Sequence, residues 1–168
     1  MTANTHVFGP EKNHKTKTDW GTPQGLFDAV NKEFQFVLDA AAHYENAKCE
    51  AFYELDDNAL ILPWTWHEGA VWLNPPYGRS VGEWIEKAYK ESCLGVTVVV
   101  LIFVRSDTAW WDDWAMRADE IRFIKGRIKF EGAPNSAPAP SCLLIFRGDV
   151  SDTKDVPTFS MLRGVPRK

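Results

Sequence analysis

The sequence has little of what marks disulfide-rich or metal-binding proteins. Among 168 residues there are only three cysteines, Cys49, Cys93 and Cys142, which form no CxxC pair and leave an odd count. This favours neither a disulfide framework nor a thiolate metal site. The four histidines have no ligand-like spacing with each other or with the cysteines. We therefore predict no bound metal.

Long hydrophobic runs are also missing. The longest apolar stretch, residues 94–104, is too short to cross a bilayer and is typical of a buried strand. The first residues are polar and lack the apolar core of a secretory signal. We expect a soluble, cytoplasmic protein with no membrane partner.

The chain has no excess of positive charge. Its net charge of −4 argues against a simple nucleic-acid-binding protein, which would need clustered Lys and Arg, although an overall sum hides local clusters. With 45% apolar and 25% charged residues, the composition is that of one globular domain. We predict a flexible polar and basic arm over residues 1–17, a folded domain over 18–147, and a polar, basic tail over 148–168.

Within the domain, helical and strand patterns alternate, which predicts an α/β fold with a mostly parallel sheet flanked by helices. One helix is predicted to begin with Thr22 as N-cap and Pro23 at its first position. A second helix is predicted after a capping box formed by Ser80 and Glu83, and a third over residues 107–118. Predicted strands are one that ends at Asp39 and those over residues 51–53, 70–73, 96–104, 120–124, 127–130 and 141–147.

The most informative motif is Asn74-Pro75-Pro76-Tyr77, directly after the apolar run 70–73. Proline lacks an N–H and pushes the residue before it into an extended conformation, so the chain is held rigid where the strand ends. In open α/β sheets, ligand crevices lie at the carboxyl ends of strands. An amide carbonyl, free backbone carbonyls and an aromatic ring suit a planar amine such as the exocyclic NH2 of adenine. The alternative is a rigid Asn-Pro turn in which Tyr77 only packs.

Taken in order, several motifs resemble those of the phage-type DNA N6-adenine methyltransferases, the Dam-like family. The resemblance runs from about residue 19 to 147. It is carried by residues 19–23 (DWGTP), 38–41 (LDAA), 46–49 (NAKC), 74–77 (NPPY), 105–108 (RSDT) and 126–130 (GRIKF), and by the proline loop before Ser141. The resemblance implies a Rossmann-like fold and the methyl donor S-adenosylmethionine.

It also implies a catalytic role for the turn Asn74, Pro75, Pro76 and Tyr77. In the resembled enzymes this turn holds a base flipped out of the duplex. Mapped onto this chain, Asn74 Oδ1 and the Pro75 carbonyl would accept hydrogen bonds from adenine N6, and Tyr77 would stack on the base. Asn74 cannot take a proton as a carboxylate could, so positioning should dominate catalysis.

For the cofactor, the resemblance places Asp39 opposite the methionine ammonium or a bound water. Ala40 and Ala41 replace the glycine-rich turn that many methyltransferases have after the first strand. Residues 20–23 would close over the methionine portion, with Trp20, Thr22 and Pro23 as the contacts. Asp57 is our choice for the ribose hydroxyls or the cofactor adenine, with Glu54 and Asp56 as competitors.

Double-stranded DNA is the expected substrate. Arg105, Arg127 and Lys129 are predicted to contact phosphates in a strip that includes Arg122, Lys125 and Arg147, although a solvated charged face is an equal alternative. At 168 residues we expect no large target-recognition domain, so loops, a homodimer or a partner subunit would read the sequence. The alternatives to DNA methylation are RNA adenine, a protein glutamine amide, or a non-catalytic nucleic-acid-binding module. The resemblance implies the cytoplasm of a bacterial host and a phage or prophage origin.

Overall fold

The structure is a computed structural model that describes residues 20–149 and 156–168. The predicted arm over residues 1–17 lies outside the described residues. In chain order the helices and strands are α1 (Gln24–Phe34), β1 (Phe36–Asp39), β2 (Ala51–Phe52), β3 (Ala70–Leu73), α2 (Val81–Cys93), β4 (Val98–Phe103), α3 (Ala109–Asp113), β5 (Glu120–Ile124), β6 (Ser141–Phe146) and β7 (Thr158–Leu162). Short 3₁₀ helices cover Leu55–Asp57, Trp64–Trp66 and Ala115–Arg117. None of the helices described is long and apolar enough to cross a membrane.

The strands form one mixed sheet in the order β2-β1-β3-β4-β6-β5-β7. The pairs β1–β2, β1–β3, β3–β4 and β5–β7 are parallel, whereas β6 runs antiparallel to both β4 and β5. The predicted α/β fold is thus confirmed, and the predicted mostly parallel sheet is confirmed in part. Because β5 runs in the same direction as β4, the carboxyl ends of six strands meet at one edge of the sheet. We call this the carboxyl edge.

The core fills both faces of the sheet. Strand β4 shows this best, since Val98, Val100 and Ile102 belong to one hydrophobic cluster and Val99 and Leu101 belong to the other. This alternation is the two-residue period of a strand buried on both sides. Helices α2 and α3 pack on the first face, and α1 packs on the second.

Helix α1 begins differently from the prediction. Pro23, with an extended ψ of 130°, is the N-cap, and its carbonyl accepts the N–H of Phe27 at 3.1 Å; Thr22 is buried and is not the cap. The first helical N–H, that of Gln24, is bound by the distant Glu131 carboxylate at 3.2 Å. A carboxylate at a helix N-terminus is stabilising because it accepts an otherwise unpaired N–H and complements the helix dipole. The prediction failed because the helix begins one residue later than expected and its first N–H is bound by a side chain from another part of the chain.

The other two helices also differ from their predictions. Ser80 precedes α2, but its φ and ψ of −85° and 0° are helical and its side chain makes no capping bond, so the capping box is wrong. A side-chain cap needs an extended N-cap residue, and here the Ser80 backbone carbonyl instead accepts the N–H of Glu83 at 3.0 Å. Helix α3 covers only 109–113 of the predicted 107–118 and continues as a 3₁₀ turn.

Two predictions near the end of the chain are wrong. Residues 127–130 alternate between exposed and buried as a strand would, with Ile128 and Phe130 inside, but they are not a strand of the sheet. The predicted tail over 148–168 contains β7, which pairs with all five residues of β5. Residues 150–155 lie outside the described part of the chain.

Candidate active site

The site lies at the carboxyl edge, where β1 and β3 end side by side. Asp39 pairs with Trp72 in the parallel register, and the Ala40 N–H donates to the Trp72 carbonyl at 2.9 Å. The polypeptide that follows β1 therefore leaves the sheet beside the turn that follows β3. Between them is a cavity of about 380 Å³, within the usual size range for a small-molecule site.

Residues from four parts of the chain line this cavity. They are Trp20, Ala41, Ala42, His43, Asn46, Tyr53, Glu54, Asn58, Ala59, Leu60, Asn74, Pro75, Pro76, Ser80 and Trp84. Of the residues predicted for catalysis or cofactor binding, the structure brings five together in this wall: Trp20, Ala41, Asn74, Pro75 and Pro76.

The amide of Asn74 has a fixed orientation, and its oxygen has no hydrogen-bond partner among the described residues. Its Nδ2 donates to the Trp20 carbonyl at 2.8 Å. A carbonyl accepts only from the NH2 side of an amide, so this bond determines which way the amide faces. The Oδ1 atom is buried and has no hydrogen-bond partner in the structure. A buried acceptor without a partner is costly, and it marks a place where a ligand donor would be stabilising.

Tyr77 sits in a group of aromatic rings. It stacks on Phe103 with ring centroids 4.2 Å apart and meets Phe130 edge-on at 5.8 Å. Its hydroxyl is buried without a partner, and burial raises the pKa of Tyr77. Tyr77 as a residue is half-buried, and unlike Asn74, Pro75 and Pro76 it does not line the cavity.

Asp39 lies behind the cavity rather than in its wall. The carboxylate is 3% exposed and accepts the N–H groups of Lys48 at 3.0 Å and Ala41 at 3.4 Å. Burial raises the pKa of Asp39 to about 7, although these two N–H groups and the Lys48 charge act in the opposite direction. The side chain therefore orders the loop that follows β1 and titrates near neutral pH.

The remaining predicted cofactor residues are not in the cavity wall. Ala40 is buried next to Ala41, whereas Thr22 and Pro23 are buried two and three positions after Trp20. Asp57 accepts the Glu54 N–H at 2.8 Å, and Glu54 is the acidic residue that reaches the cavity. Glu54, the competitor, therefore lines the cavity and Asp57 does not.

A polar network holds the Trp20 segment over the site. Gly21 and Glu131 exchange backbone hydrogen bonds of 3.3 and 2.8 Å. The Glu131 carboxylate binds Lys48 Nζ at 3.1 and 3.2 Å, and the Lys48 side chain is only 6% exposed. Because the same Lys48 donates its N–H to Asp39, one residue connects the β1 loop with the segment that anchors Asn74.

The three predicted DNA contacts lie at the carboxyl edge but differ in their partners. Arg105 forms a two-bond ion pair with Asp107, with distances of 3.1 and 3.2 Å. Arg127 donates only to the Ala137 carbonyl, at 3.3 Å. Both Arg127 and Lys129 are exposed, next to the buried Ile128 and Phe130. Of the three further members of the wider strip, Lys125 is exposed. Arg122 and Arg147 are paired with Glu33 and Glu120 toward the opposite edge.

Sequence reasoning missed several cavity residues, chiefly His43, Tyr53, Asn58 and Trp84. Asn58 adopts a φ of 52°, which Asn tolerates better than most residues other than Gly, but this conformation is visible only in the structure. The others come together through the β1–β2 loop and α2, and no local pattern predicts that. Within the described residues, no group of three His, Cys, Asp or Glu side chains is placed to hold a metal ion.

Comparison with known proteins places this geometry in a family. The model of a family described as DNA N-6-adenine-methyltransferase (Dam) matches residues 10–159. The chain is similar to the DNA N-6-adenine-methyltransferase of Haemophilus phage HP1 (strain HP1c1), with 33% identity over 127 residues, which cover 71% of each chain. It is also similar to the DNA N-6-adenine-methyltransferase of Escherichia phage T1, with 28% identity over 137 residues.

That match covers 81% of this chain but 57% of the T1 protein, so the chain spans little more than half of that relative's length. A third relative, the putative methyltransferase YfdM of Escherichia coli (strain K12), is 43% identical over 63 residues, or 34% of this chain and 69% of its own. The family match covers most of the sequence, including the cavity and the turn after β3. The chain therefore belongs to the DNA N-6-adenine-methyltransferase (Dam) family.

Proposed function

We propose that this protein methylates adenine N6 in DNA, with S-adenosylmethionine as the methyl donor and a Rossmann-like methyltransferase fold. The observation that carries the proposal is the free Oδ1 of Asn74. It is a buried acceptor of fixed orientation, on a residue that lines a cavity of cofactor size. Family membership implies a methyl donor, and the cavity supports this particular one.

The cavity fits S-adenosylmethionine in size and chemistry. About 380 Å³ is enough for a nucleoside-sized ligand, and the wall combines apolar residues with a few polar ones. Trp20 and Ala41 would hold the methionine portion, with Ala40, Thr22 and Pro23 supporting them from behind. Glu54, supported by Asp57, would accept hydrogen bonds from the ribose hydroxyls. When bound, the cofactor supplies an electrophilic methyl group on a sulfonium.

The turn after β3 would receive the acceptor base. Asn74 Oδ1 and the Pro75 carbonyl would accept hydrogen bonds from N6, which frees the nitrogen lone pair from the ring. Pro75 and Pro76 hold these acceptors rigid, because proline fixes φ. Tyr77 would stack on a base flipped out of the duplex, whose unstacking costs a few kcal/mol. The residues thus work by orientation, since neither amide nor carbonyl removes a proton.

The proposal favours DNA over the alternatives. Both phage relatives carry adenine methylation of DNA in their names, whereas RNA adenine or protein glutamine has no such support. An intact turn and cavity favour catalysis over a binding-only module. Arg127 and Lys129 would contact phosphates, and Arg105 would do so after leaving Asp107. The phage relatives also support a bacterial cytoplasm as the site of action. A homodimer or a partner subunit would recognise the DNA sequence that is methylated.

The test is methyl transfer from radiolabelled S-adenosylmethionine to unmethylated DNA, followed by identification of the modified base. We expect N6-methyladenine, and a loss of about 10²–10³-fold in kcat for Asn74→Ala, comparable to removal of one preorganised polar group. Asn135→Ala, at an exposed position, is the matched control. Label on protein or RNA alone would contradict the substrate, and full activity of Asn74→Ala would contradict the mechanism.

A further inference from the structure

Two segments of the chain concentrate positive charge at the carboxyl edge. They are residues 125–129, which follow β5, and residues 163–168, which follow β7. Their cationic side chains are all on exposed residues: Lys125, Arg127, Lys129, Arg163, Arg167 and Lys168. We call these six residues the basic platform. The second segment was expected from sequence to be part of a tail.

The sheet brings the two segments together. Strands β5 and β7 are parallel neighbours, so the residues that follow them emerge side by side. Backbone bonds continue the pairing beyond the strands: Lys125 N–H donates to the Leu162 carbonyl at 3.0 Å, and Lys129 N–H donates to the Arg167 carbonyl at 2.9 Å. The Arg167 guanidinium also donates to the Lys125 carbonyl at 2.9 Å. The platform is therefore one ordered surface.

Contact with α1 fixes the platform further. A Cβ added to Gly25 would lie 2.6 Å from Pro166 Cβ, so the first turn of α1 packs closely on the second segment. The same turn is bound by Glu131, which belongs to the network around Trp20. The position of residues 163–168 is thus tied to the position of the catalytic turn.

The platform and Asn74 lie along the same carboxyl edge of the sheet. Asn74 follows β3, and the platform follows β5 and β7, which are three and four strand positions away at the same edge. At about 4.8 Å per strand, that separation is roughly 14–19 Å. Duplex DNA carries a phosphate charge every 1.7 Å or so of its axis. A base in the crevice would therefore leave several flanking phosphates above the platform, while Lys129 adjoins Phe130, which touches Tyr77.

The charge of the platform is not neutralised locally. Residues 121–130 and 156–168 contain no Asp or Glu, in a chain whose net charge is −4. In the described part of the chain, none of the six side chains forms an ion pair, whereas Arg122 and Arg147 at the opposite edge do. A solvated charged face would mix both signs, whereas every charged side chain within these two segments of the platform is positive.

We propose that the basic platform, including residues 163–168, binds the phosphodiester backbone of duplex DNA next to the target base. This rests on the proposed function and adds the surface that holds the substrate. Contacts of this type are independent of sequence: they set affinity and orientation and do not read bases.

The test compares two double variants by fluorescence anisotropy with a labelled DNA duplex, without methyl donor, over a range of salt concentrations. Arg163→Gln with Lys168→Gln removes two platform charges whose side chains make no hydrogen bond or ion pair among the described residues. Lys32→Gln with Lys90→Gln removes two exposed charges from the last turns of α1 and α2, at the opposite edge. For the platform variant we expect about tenfold weaker binding of any duplex sequence and a salt slope shallower by roughly 2, or about 1 per lost phosphate contact.

The control pair should bind DNA as the wild type does. In turnover, the platform variant should show a raised KM for DNA with kcat unchanged at saturating DNA. If the salt slope of the platform variant equals that of the wild type and of the control pair, the proposal that the platform binds DNA is wrong, even if DNA is methylated. Wild-type protein that binds duplexes through the platform but never labels DNA overturns the proposed function alone. If the platform variant binds duplex RNA more weakly but binds duplex DNA as the wild type does, the platform is a surface for RNA and the proposal for DNA is wrong.

Discussion

The ring and the hydroxyl of Tyr77 have different surroundings, and this separates their roles. The ring contacts Phe103 and Phe130, whereas the hydroxyl is buried with no partner. A buried polar group without a hydrogen bond opposes folding by about 1–3 kcal/mol. We therefore expect the aromatic ring of Tyr77, and not its hydroxyl, to matter for stability and for methyl transfer.

Tyr77→Phe should consequently be as stable as the wild type or more stable, by up to about 1–3 kcal/mol, with methyl transfer retained. Tyr77→Ala should lose both stability and methyl transfer, because it removes the stacking surface and leaves a cavity beside Phe103. Such a change typically lowers the free energy of unfolding by about 3–5 kcal/mol. Urea unfolding and turnover measure the two effects. A Phe variant with normal stability but little activity would show that the hydroxyl itself takes part in the reaction.

Asp39 gives a pH dependence whose sign follows from its burial. Its pKa is about 7 when folded, against 3.8 for an ordinary Asp. Between these values the unfolded chain ionises while the folded one stays protonated, so folding stability falls as the pH rises from about 4 to 7 and then levels off. The total change is on the order of a few kcal/mol. In Asp39→Asn this slope should be absent.

The measurement is the free energy of unfolding of wild type and Asp39→Asn from pH 4 to 8, without cofactor. Loss of an acceptor for the Lys48 and Ala41 N–H groups shifts the variant by a constant, so the slope of the difference is the informative quantity. Asp112→Asn, at an exposed carboxylate, controls for loss of charge. A difference that is flat across this range would mean that Asp39 is ionised throughout.

At the residue scale, the position of Asn74 is predictable because the chain itself imposes the geometry there. Two prolines after a short apolar run place Asn74 at a strand end, and the structure puts it in the cavity wall. The choice between Asp57 and Glu54 could not be made in that way. The two residues are three apart in a 3₁₀ turn, and which one faces the cavity depends on Asp57 bonding the Glu54 N–H.

Among the elements, α1 and the loop around Glu131 depend on each other. Glu131 caps the first turn of α1, pairs with the Trp20–Gly21 segment and neutralises the nearly buried Lys48. No repeat or spacing connects residues 107 positions apart, so a local reading assigned the cap to Thr22. The same limit explains residues 127–130: their alternating burial is correct, but Ile128 and Lys129 bond loop partners at 137 and 167 and not a neighbouring strand.

This dependence predicts coupling between Lys48 and Glu131. Glu131→Gln keeps an oxygen for the Gln24 N–H but leaves Lys48 as a buried, unpaired cation, at a cost of about 1–3 kcal/mol. Lys48→Met with Glu131→Gln should recover much of that loss. A double-mutant cycle by urea unfolding measures the coupling. Glu131→Gln should also lower kcat more than it lowers DNA affinity, because Trp20 orients Asn74. If the stability changes of the single variants simply add in the double variant, Lys48 and Glu131 are not coupled.

For the whole molecule, the sheet determines both the crevice and the surface beside it. The order of strands places Asn74 in the middle of the carboxyl edge and the basic platform at one end. The mostly parallel sheet was predictable from the strand–helix alternation. The addition of β7 was not, because residues 158–162 are largely exposed and lack the apolar run that identifies the central strand β4. Edge strands bury too little surface to show a strong pattern.

Because β7 pairs with β5 along its whole length, prolines at two neighbouring positions of β7 should have different effects. The Thr158 N–H donates to Asp119 of the β5 side, so by alternation the Ser160 N–H also faces β5 and the Met161 N–H faces outward. Ser160→Pro should cost about 1–3 kcal/mol and Met161→Pro much less, since proline is tolerated where an edge N–H has no ladder partner. Ser160→Ala accounts for the Oγ bond to Glu120. Ser160→Pro should also weaken DNA binding as the platform variant does, because β7 carries residues 163–168. If Ser160→Pro, Met161→Pro and the wild type unfold at the same urea midpoint, residues 158–162 do not contribute a strand to the sheet and are a tail, as the sequence predicted.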